Sequence, residues 1–239
     1  MDNPPYTIYP LGDSALTIEM GTAINCQINE KVMQAFHQLQ QNPIQHIIDI
    51  IPAYCSLTIV YDTYSIKKSN PAWTAFNWIK EQVIAAIKNS NITHSNKRLI
   101  QIPVCYDTIF GPDLELIAEH AGISVEEVIL LHSERTYHVF MIGFLPGFPY
   151  MGTVNTSIQM PRKSKPRSLV AAGSVGIAGE QTGIYPLESP GGWQIIGQTA
   201  LPLFDISLES PCLLQPGDEV QFNPIGLDEF YSIKQSGKL

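Results

Sequence analysis

The chain has 239 residues, of which 44% are hydrophobic and 15% charged, and its net charge at pH 7 is −8. This is the composition of a globular protein, and its acidic balance disfavours nucleic acids and anionic membranes as partners. The N-terminus lacks the basic and apolar segments of a signal peptide, and no apolar run approaches the roughly 20 residues that span a bilayer, so we expect a cytoplasmic protein.

The first hundred residues alternate between strand and helix patterns. Residues 6–11 and 15–20 predict two strands around a turn, and apolar residues at helical spacing predict an amphipathic helix over 25–41. Two β-rich runs follow, over residues 44–51 and 56–61. These elements indicate helices packed on a mostly antiparallel sheet.

A second helix is predicted to begin at Asn70 and Pro71, because proline is favoured in the first helical turn. The polar stretch 89–97 then leads to a new strand. Polar segments without periodicity favour domain boundaries, so we predict an N-terminal small α/β sandwich domain over residues 1–92. The C-terminal domain is then residues 93–239.

The C-terminal domain begins with helices and continues as β structure. Residues 111–113 predict the start of one short helix, and Gly122 predicts its end. Ser124 and Glu127 form a capping box for a second helix that ends near His132. Beyond it, short β-rich pieces alternate with Gly/Pro turns, which is typical of a closed or barrel-like β domain. The predicted fold class is therefore α+β.

The charge distribution is the most informative feature of the C-terminal domain. Residues 135–179 contain no Asp or Glu and carry a charge of +5, so the rest of the chain is −13. The run 161–167 holds four of the 14 basic residues, including Arg162 and Arg167, between two prolines. The loop is either a solvated basic loop or an anion site, since arginine grips a carboxylate or phosphate bidentately.

Two glycine-rich segments flank this basic loop. Residues 143–152 place three aromatic residues, Phe144, Phe148 and Tyr150, on a loop that faces a ligand or partner, or else folds over its own core. Residues 173–183 have GxxGxxG spacing, but no helix pattern follows, which excludes a Rossmann fingerprint and a P-loop. Its glycines indicate close approach of backbone to backbone, or of backbone to ligand.

No complete catalytic set is recognisable. His132 and His138 lack metal-ligand spacing with neighbouring acids, and the four cysteines form no CxxC pair, so we predict no metal site. His132 is either a partner of the helix dipole or an acid/base, because the unperturbed histidine pKa is about 6.5. The pattern favours a subunit that borrows catalytic groups from a partner.

Nine motifs resemble those of a single family across nearly the whole chain. They are LGDSAL (11–16), GPDL (111–114), GFLPGFPYMG (143–152), PRKSKPR (161–167), AAGSVGIAGEQTGIYP (171–186), SPGGW (189–193), IGQT (196–199), LFD (203–205) and LLQPGDEVQF (213–222). The family contains the B subunit of 5-oxoprolinase, the KipI inhibitors of sporulation histidine kinases, and the "allophanate hydrolase subunit 1" domain of urea carboxylases. Met151 and Ala171 stand where leucine and proline are more usual, and both changes are mild.

The resemblance implies an N-terminal α/β domain joined to a cyclophilin-like β barrel. It also implies a homologous-fold partner, the KipA-like C subunit, and a third protein, the A subunit. Together these cleave 5-oxo-L-proline to L-glutamate using ATP, which one of the three proteins binds. The alternatives are a KipI-type inhibitor of a sporulation histidine kinase and a urea carboxylase-associated domain. The amidase motif of true allophanate hydrolysis is absent.

The expected site combines the basic loop with the aromatic and glycine-rich segments. Arg162 and Arg167 are predicted to bind the carboxylate of 5-oxoproline or a phosphate group, with His132 as a candidate catalytic acid or base. The remaining predicted ligand contacts are Gln181, Trp193, Phe144 and Phe148.

Overall fold

A computed structural model describes residues 6–88 and 98–236, which fall into two compact units, Met1–Asn96 and Lys97–Leu239. The predicted boundary between residues 92 and 93 lies in the stretch 89–97, outside the described residues, and stays a prediction. Within the described ranges, no helix is both long and apolar enough to cross a membrane.

Over the described residues 6–88, the first unit is a four-stranded antiparallel sheet with three helices. Its strands, in the order β1-β2-β4-β3, are β1 (Thr7–Leu11), β2 (Ala15–Glu19), β3 (Ile47–Pro52) and β4 (Ser56–Tyr61). Its helices are α1 (Cys26–Gln41), α2 (Thr63–Ser69) and α3 (Ala75–Lys88). Alternate residues of β4 are buried, as expected for a strand with one face on a core. Residues from the sheet and all three helices form one apolar cluster.

The predicted start of the second helix at Asn70 and Pro71 is wrong. Asn70 instead ends α2, with its backbone N–H donating to the Ile66 carbonyl at 2.8 Å. The next helix begins at Ala75, where the Thr74 hydroxyl oxygen accepts a hydrogen bond from a first-turn N–H. Proline and a capping hydroxyl are both helix-start signals, and here the hydroxyl marks the start because it satisfies a free N–H.

The second unit is a closed seven-stranded barrel, which confirms the predicted α+β class. Its strand order is β10-β7-β6-β13-β5-β12-β9. These strands are β5 (Leu99–Cys105), β6 (Thr136–Ile142), β7 (Pro149–Gly152), β9 (Ser174–Ala178), β10 (Gln181–Ile184), β12 (Gln194–Gln198) and β13 (Glu219–Ile225). A separate two-stranded ribbon pairs β8 (Arg167–Val170) with β11 (Ser189–Gly191).

Within residues 98–236, three α-helices accompany the barrel: α4 (Leu114–Ala121), α5 (Val125–Ser133) and α6 (Leu227–Ser236). As predicted, Gly122 ends α4 in the left-handed conformation. The Ser124 hydroxyl caps α5 by accepting from the Glu127 N–H at 3.2 Å.

The barrel closes through a parallel pairing of β5 with β13 over seven residue pairs. Just before these strands, Arg98 donates a bidentate pair of hydrogen bonds to the carboxylate of Asp218. The Glu219 N–H also donates to the Arg98 carbonyl at 2.9 Å. The ion pair therefore fixes the register at which the first and last barrel strands meet.

The segment that precedes α4 lies directly against β12. The Asp113 N–H donates to the Ile195 carbonyl at 3.0 Å, and a Cβ at Gly111 would lie 2.4 Å from the Ile196 carbonyl oxygen. A side chain at residue 111 would therefore push the segment off the strand.

We predict that Gly111→Ala lowers the free energy of unfolding by about 1–3 kcal/mol, because the methyl group meets backbone that cannot move aside. Gly226→Ala is the control, since a Cβ there meets nothing within 4 Å. Urea denaturation of both variants checks this. Equal midpoints for the two would contradict the close packing of Gly111.

Candidate functional site

A pocket of about 290 Å³ lies on the second unit. Five aromatic side chains and one cation line it together with proline and glycine: Phe144, Phe148, Tyr150, Tyr185, Trp193 and Arg162. Ligand sites in proteins are typically concave, mostly apolar and furnished with a few polar groups. The structure therefore brings together four residues of the predicted site, namely Phe144, Phe148, Arg162 and Trp193.

Phe148 is the centre of the aromatic cluster and only 1% exposed. Its ring centroid lies 4.9 Å from that of Tyr150, 5.2 Å from that of Tyr185 and 5.4 Å from that of Trp193. The Tyr185 and Trp193 contacts have interplanar angles above 80°, which is the favoured edge-to-face arrangement. The floor of the pocket is thus held by mutual ring packing.

The glycine-rich segment 173–183 supplies space for these rings. It forms strands β9 and β10 of the barrel wall. A Cβ at Gly183 would lie 3.0 Å from both the Phe148 ring and the Trp193 ring. This glycine therefore admits aromatic side chains against the barrel wall, which is a packing role.

Phe144 forms the exposed rim of the pocket. Its side chain is 64% exposed and its φ is +68°, a conformation that residues other than glycine seldom adopt. The Leu145 N–H donates to the Gly143 carbonyl across this turn at 2.9 Å. The Phe144 ring meets Phe148 edge to face at 5.7 Å. The turn therefore presents an apolar ring to the solvent beside the pocket.

Arg162 is the cation of the pocket. Its guanidinium carbon lies 5.8 Å from the Trp193 ring centroid, within cation–π range. Among the described residues no carboxylate pairs with Arg162. Its donors are therefore available to an anion that enters the pocket.

Asp113 is a carboxylate with 3% exposure that holds two further cations of the basic loop. Its Oδ1 accepts from Lys163 Nζ at 3.0 Å and from an Arg167 guanidinium nitrogen at 2.8 Å. Its Oδ2 accepts from the Ile195 N–H at 2.7 Å. Burial alone raises the pKa of Asp113, but hydrogen bonds from Arg167, the Ile195 N–H and Lys163 outweigh it and lower the pKa.

Arg167 therefore forms an ion pair with Asp113 and does not line the pocket, whereas the sequence pattern predicted that it binds an anionic ligand. Two cations of the acid-free segment are thus paired with a carboxylate that precedes the segment by more than 20 residues. Gln181 is also absent from the pocket lining, because it begins β10 and pairs with Gly152 and Ala178 within the barrel wall.

His132 is fully buried in the barrel unit, stacked on Phe222 with ring centroids 4.6 Å apart. Its Nε2 lies 2.9 Å from the Thr182 hydroxyl, which donates to the Gly176 carbonyl at 3.1 Å, so Nε2 carries a proton. Its Nδ1 then accepts from the Tyr106 hydroxyl at 2.8 Å. Burial lowers the pKa of His132 to about 3. The imidazole is thus neutral and fully hydrogen-bonded at pH 7, which disfavours an acid/base role.

Comparison with known proteins identifies the family to which this architecture belongs. Residues 6–214 match the model of a family described as carboxyltransferase domain, subdomain C and D. The chain is 42% identical to the B subunit of 5-oxoprolinase from Bacillus subtilis (strain 168), over 96% of this chain and 97% of that protein. It is 38% identical to the B subunit of 5-oxoprolinase from Escherichia coli O157:H7, over 90% of this chain and 94% of that protein.

The chain belongs to the carboxyltransferase subdomain C and D family. Among solved structures, it is similar to the protein TTHA0988, with a TM-score of 0.75 and 33% identity over 88% of this chain. The present chain spans 40% of the length of that protein.

In this family member, two residues of the candidate site were not predicted from the sequence. Tyr185 lines the pocket, and Asp113 holds the basic loop. Asp113 stood out only as part of a helix start, because its partners lie about 50 residues further along the chain. An acid-free stretch of sequence does signal that its balancing carboxylate lies elsewhere, but not where.

We predict that the stability of the protein falls with acid through His132. The unfolded chain binds a proton at this residue below pH 6.5, whereas the native state binds one only near pH 3. The stabilisation is therefore complete above pH 6.5 and is lost as the pH falls towards 3, by at most about 1.4 kcal/mol per pH unit.

Denaturation by urea between pH 7 and pH 4 checks this by comparing the wild type with His132→Gln. The free-energy gap between the two should narrow as the pH falls. His120→Gln, which removes an exposed imidazole from α4, is the control. A gap that stays constant over this range would contradict the neutral, buried imidazole.

Proposed function

We propose that the chain is the B subunit of an ATP-dependent 5-oxoprolinase, which cleaves 5-oxo-L-proline to L-glutamate together with the A and C subunits. The observation that carries this proposal is the near full-length similarity to two proteins named as the B subunit of 5-oxoprolinase, at 42% and 38% identity. The geometry of the aromatic pocket adds an independent argument from chemistry.

The aromatic pocket suits a small cyclic carboxylate. 5-Oxoproline is a five-membered lactam with one carboxylate, so its ring can pack against Trp193 and Phe148 while the carboxylate meets Arg162. A charge-assisted, bidentate contact of this kind is stronger than a neutral hydrogen bond. Trp193 then has two functions, as an apolar surface for the ring and as a support for the guanidinium.

The described residues offer binding groups more readily than catalytic ones. His132 is buried, neutral and hydrogen-bonded, and no group of three or more His, Cys, Asp or Glu in residues 6–88 and 98–236 could hold a metal ion. The chain therefore binds and orients the substrate in this proposal, and the partners contribute the reacting groups. The complex is an enzyme in which this chain has no activity by itself.

ATP supplies the free energy for opening the lactam, but the residues of the aromatic pocket do not fit a triphosphate. Lys163 and Arg167 are paired with Asp113, which leaves Arg162 as the one cation that lines the pocket among residues 6–88 and 98–236. Gly176 and Gly183 lie in barrel strands, Gly173 and Gly179 lie in the turns beside them, and none of these four glycines stands at a helix start as in a phosphate-binding loop. We therefore place ATP outside this pocket, on another surface of the complex.

The urea carboxylase alternative is weaker, because the crystal structure of Kluyveromyces lactis urea carboxylase matches at 20% identity and shows the fold alone, with a TM-score of 0.74. The kinase-inhibitor alternative predicts binding to a histidine kinase without turnover of 5-oxoproline. Glutamate release therefore separates the enzyme role from both alternatives.

The test is co-expression of the chain with candidate A and C subunits, followed by an assay of glutamate release from 5-oxoproline with ATP. We expect turnover only when all three proteins are present. Robust turnover by the purified single chain, or none by an assembled three-protein complex, would overturn the proposal.

Arg162→Ala should raise the Michaelis constant for 5-oxoproline about ten- to a hundredfold, because one charge-assisted contact is worth about 1.5–3 kcal/mol. Lys165→Ala removes the same charge from an exposed position on the same loop and should leave the constant unchanged. Size-exclusion chromatography measures assembly independently. If Arg162→Ala blocks assembly instead, this surface is an interface with a partner protein and the pocket assignment is wrong.

A further inference from the structure

Asp113 joins three segments that are far apart in sequence. It precedes α4, accepts from two side chains of the basic loop 161–167, and accepts from the backbone of β12 at Ile195. Each carboxylate oxygen therefore has at least one donor, which is the condition for burying a charge.

The basic loop is also hydrogen-bonded to the pocket wall on both sides of Arg162. The Lys163 N–H donates to the Gly192 carbonyl at 2.7 Å. Gln194 Nε2 donates to the Pro161 carbonyl at 2.9 Å. The residues that flank Arg162 are thus bonded to the residues that flank Trp193, which sets the guanidinium over the indole ring.

The ion pairs of Asp113 also decide which charges face the pocket. Lys163 and Arg167 point their charges at one buried carboxylate, and neither lines the pocket. Arg162 lines the pocket and has no carboxylate partner among the described residues. In the part of the chain that the structure describes, the pocket lining therefore offers a ligand one uncommitted cation beside an aromatic cluster.

We propose that Asp113 is a specificity-determining positioning residue, which pairs Lys163 and Arg167 so that the pocket selects a cyclic monocarboxylate over a polyanion. This inference rests on the proposed function only in using the same pocket. A single guanidinium matches a single carboxylate, whereas a polyanion needs several cations to replace its lost hydration. Asp113 itself does not contact the ligand.

The test measures the preference of the pocket in the full chain with two probes, cyclopentanecarboxylate and inorganic pyrophosphate. Trp73→Phe and Trp78→Phe leave Trp193 as the single tryptophan, whose fluorescence reports binding. We expect the parent chain to bind cyclopentanecarboxylate at least about tenfold more tightly than pyrophosphate. A difference of about tenfold in affinity corresponds to the free energy of about one charge-assisted hydrogen bond.

Asp113→Asn should reduce this ratio at least about tenfold, mainly by tightening pyrophosphate, because Lys163 and Arg167 become unpaired cations beside the pocket. If Asp113 has a purely structural role, Asp113→Asn should weaken the binding of both probes equally and leave the ratio of their affinities unchanged. An unchanged ratio in a folded variant, or a parent chain that prefers pyrophosphate or binds neither probe, overturns the inference.

A second comparison keeps the inference testable if Asp113→Asn does not fold. Arg162→Met and Lys163→Met remove the same charge from adjacent positions, but only Arg162 faces the pocket. We expect cyclopentanecarboxylate affinity to fall at least about tenfold in Arg162→Met and less than about threefold in Lys163→Met, since the Lys163 charge is already paired. Equal losses of affinity in the two variants would show that pairing with Asp113 does not keep the Lys163 charge from acting on the ligand.

These outcomes are distinct from failure of the proposed function. A chain that binds cyclopentanecarboxylate through Arg162 but gives no 5-oxoproline turnover in the three-protein complex would retain the selectivity of the pocket and lose the substrate assignment.

Discussion

A single buried carboxylate controls the geometry of the candidate site. Asp113 is the only acid that the described basic loop contacts, and without it two cations would lie beside an apolar pocket unpaired. Removing one partner of a buried ion pair is costly because the remaining charge has lost its water and gains nothing in return. The helix start, the loop and strand β12 therefore keep their arrangement together.

The barrel core and the pocket are separate apolar clusters with different tasks. The large core fills the barrel and includes residues of α4 and α5. The smaller cluster combines Phe148, Tyr185 and Trp193 with aliphatic neighbours against the barrel wall. His132 lies among the rings of the barrel interior, where its polar atoms are all satisfied, so the histidine stabilises the scaffold while the ligand-facing groups lie elsewhere.

Local patterns predicted much of the fold because their causes are local. The turn around Gly12, the capping box at Ser124 and the left-handed end at Gly122 each depend on a few neighbouring residues. Helix α2 was not predicted because it has only seven residues, and its N-terminal cap at Asp62 resembles an ordinary turn signal. The start of α3 was predicted too early because Pro71 is a more conspicuous helix-start signal than Thr74.

The candidate site was less predictable because it depends on contacts between distant segments. The aromatic loop, Arg162 and Trp193 stood out by composition, and the fold brings them together. The chemistry of Arg167, by contrast, is decided by a carboxylate 54 residues away, and that of His132 by a threonine 50 residues away. Sequence spacing carries no information on such pairings until the strand order of the barrel is known.

The parallel pairing of β5 with β13 also has a consequence for synthesis. Arg98 emerges from the ribosome 120 residues before Asp218, the residue to which it binds. The two barrel neighbours of β5 are β12 and β13, the last two barrel strands to be synthesised, so both edges of β5 stay unpaired while most of the barrel is translated. Unpaired strand edges invite association with other chains, and non-local pairings of this kind form slowly. The nascent chain is consequently most exposed to aggregation before these two strands appear, and the closure that completes the barrel also ends that exposure.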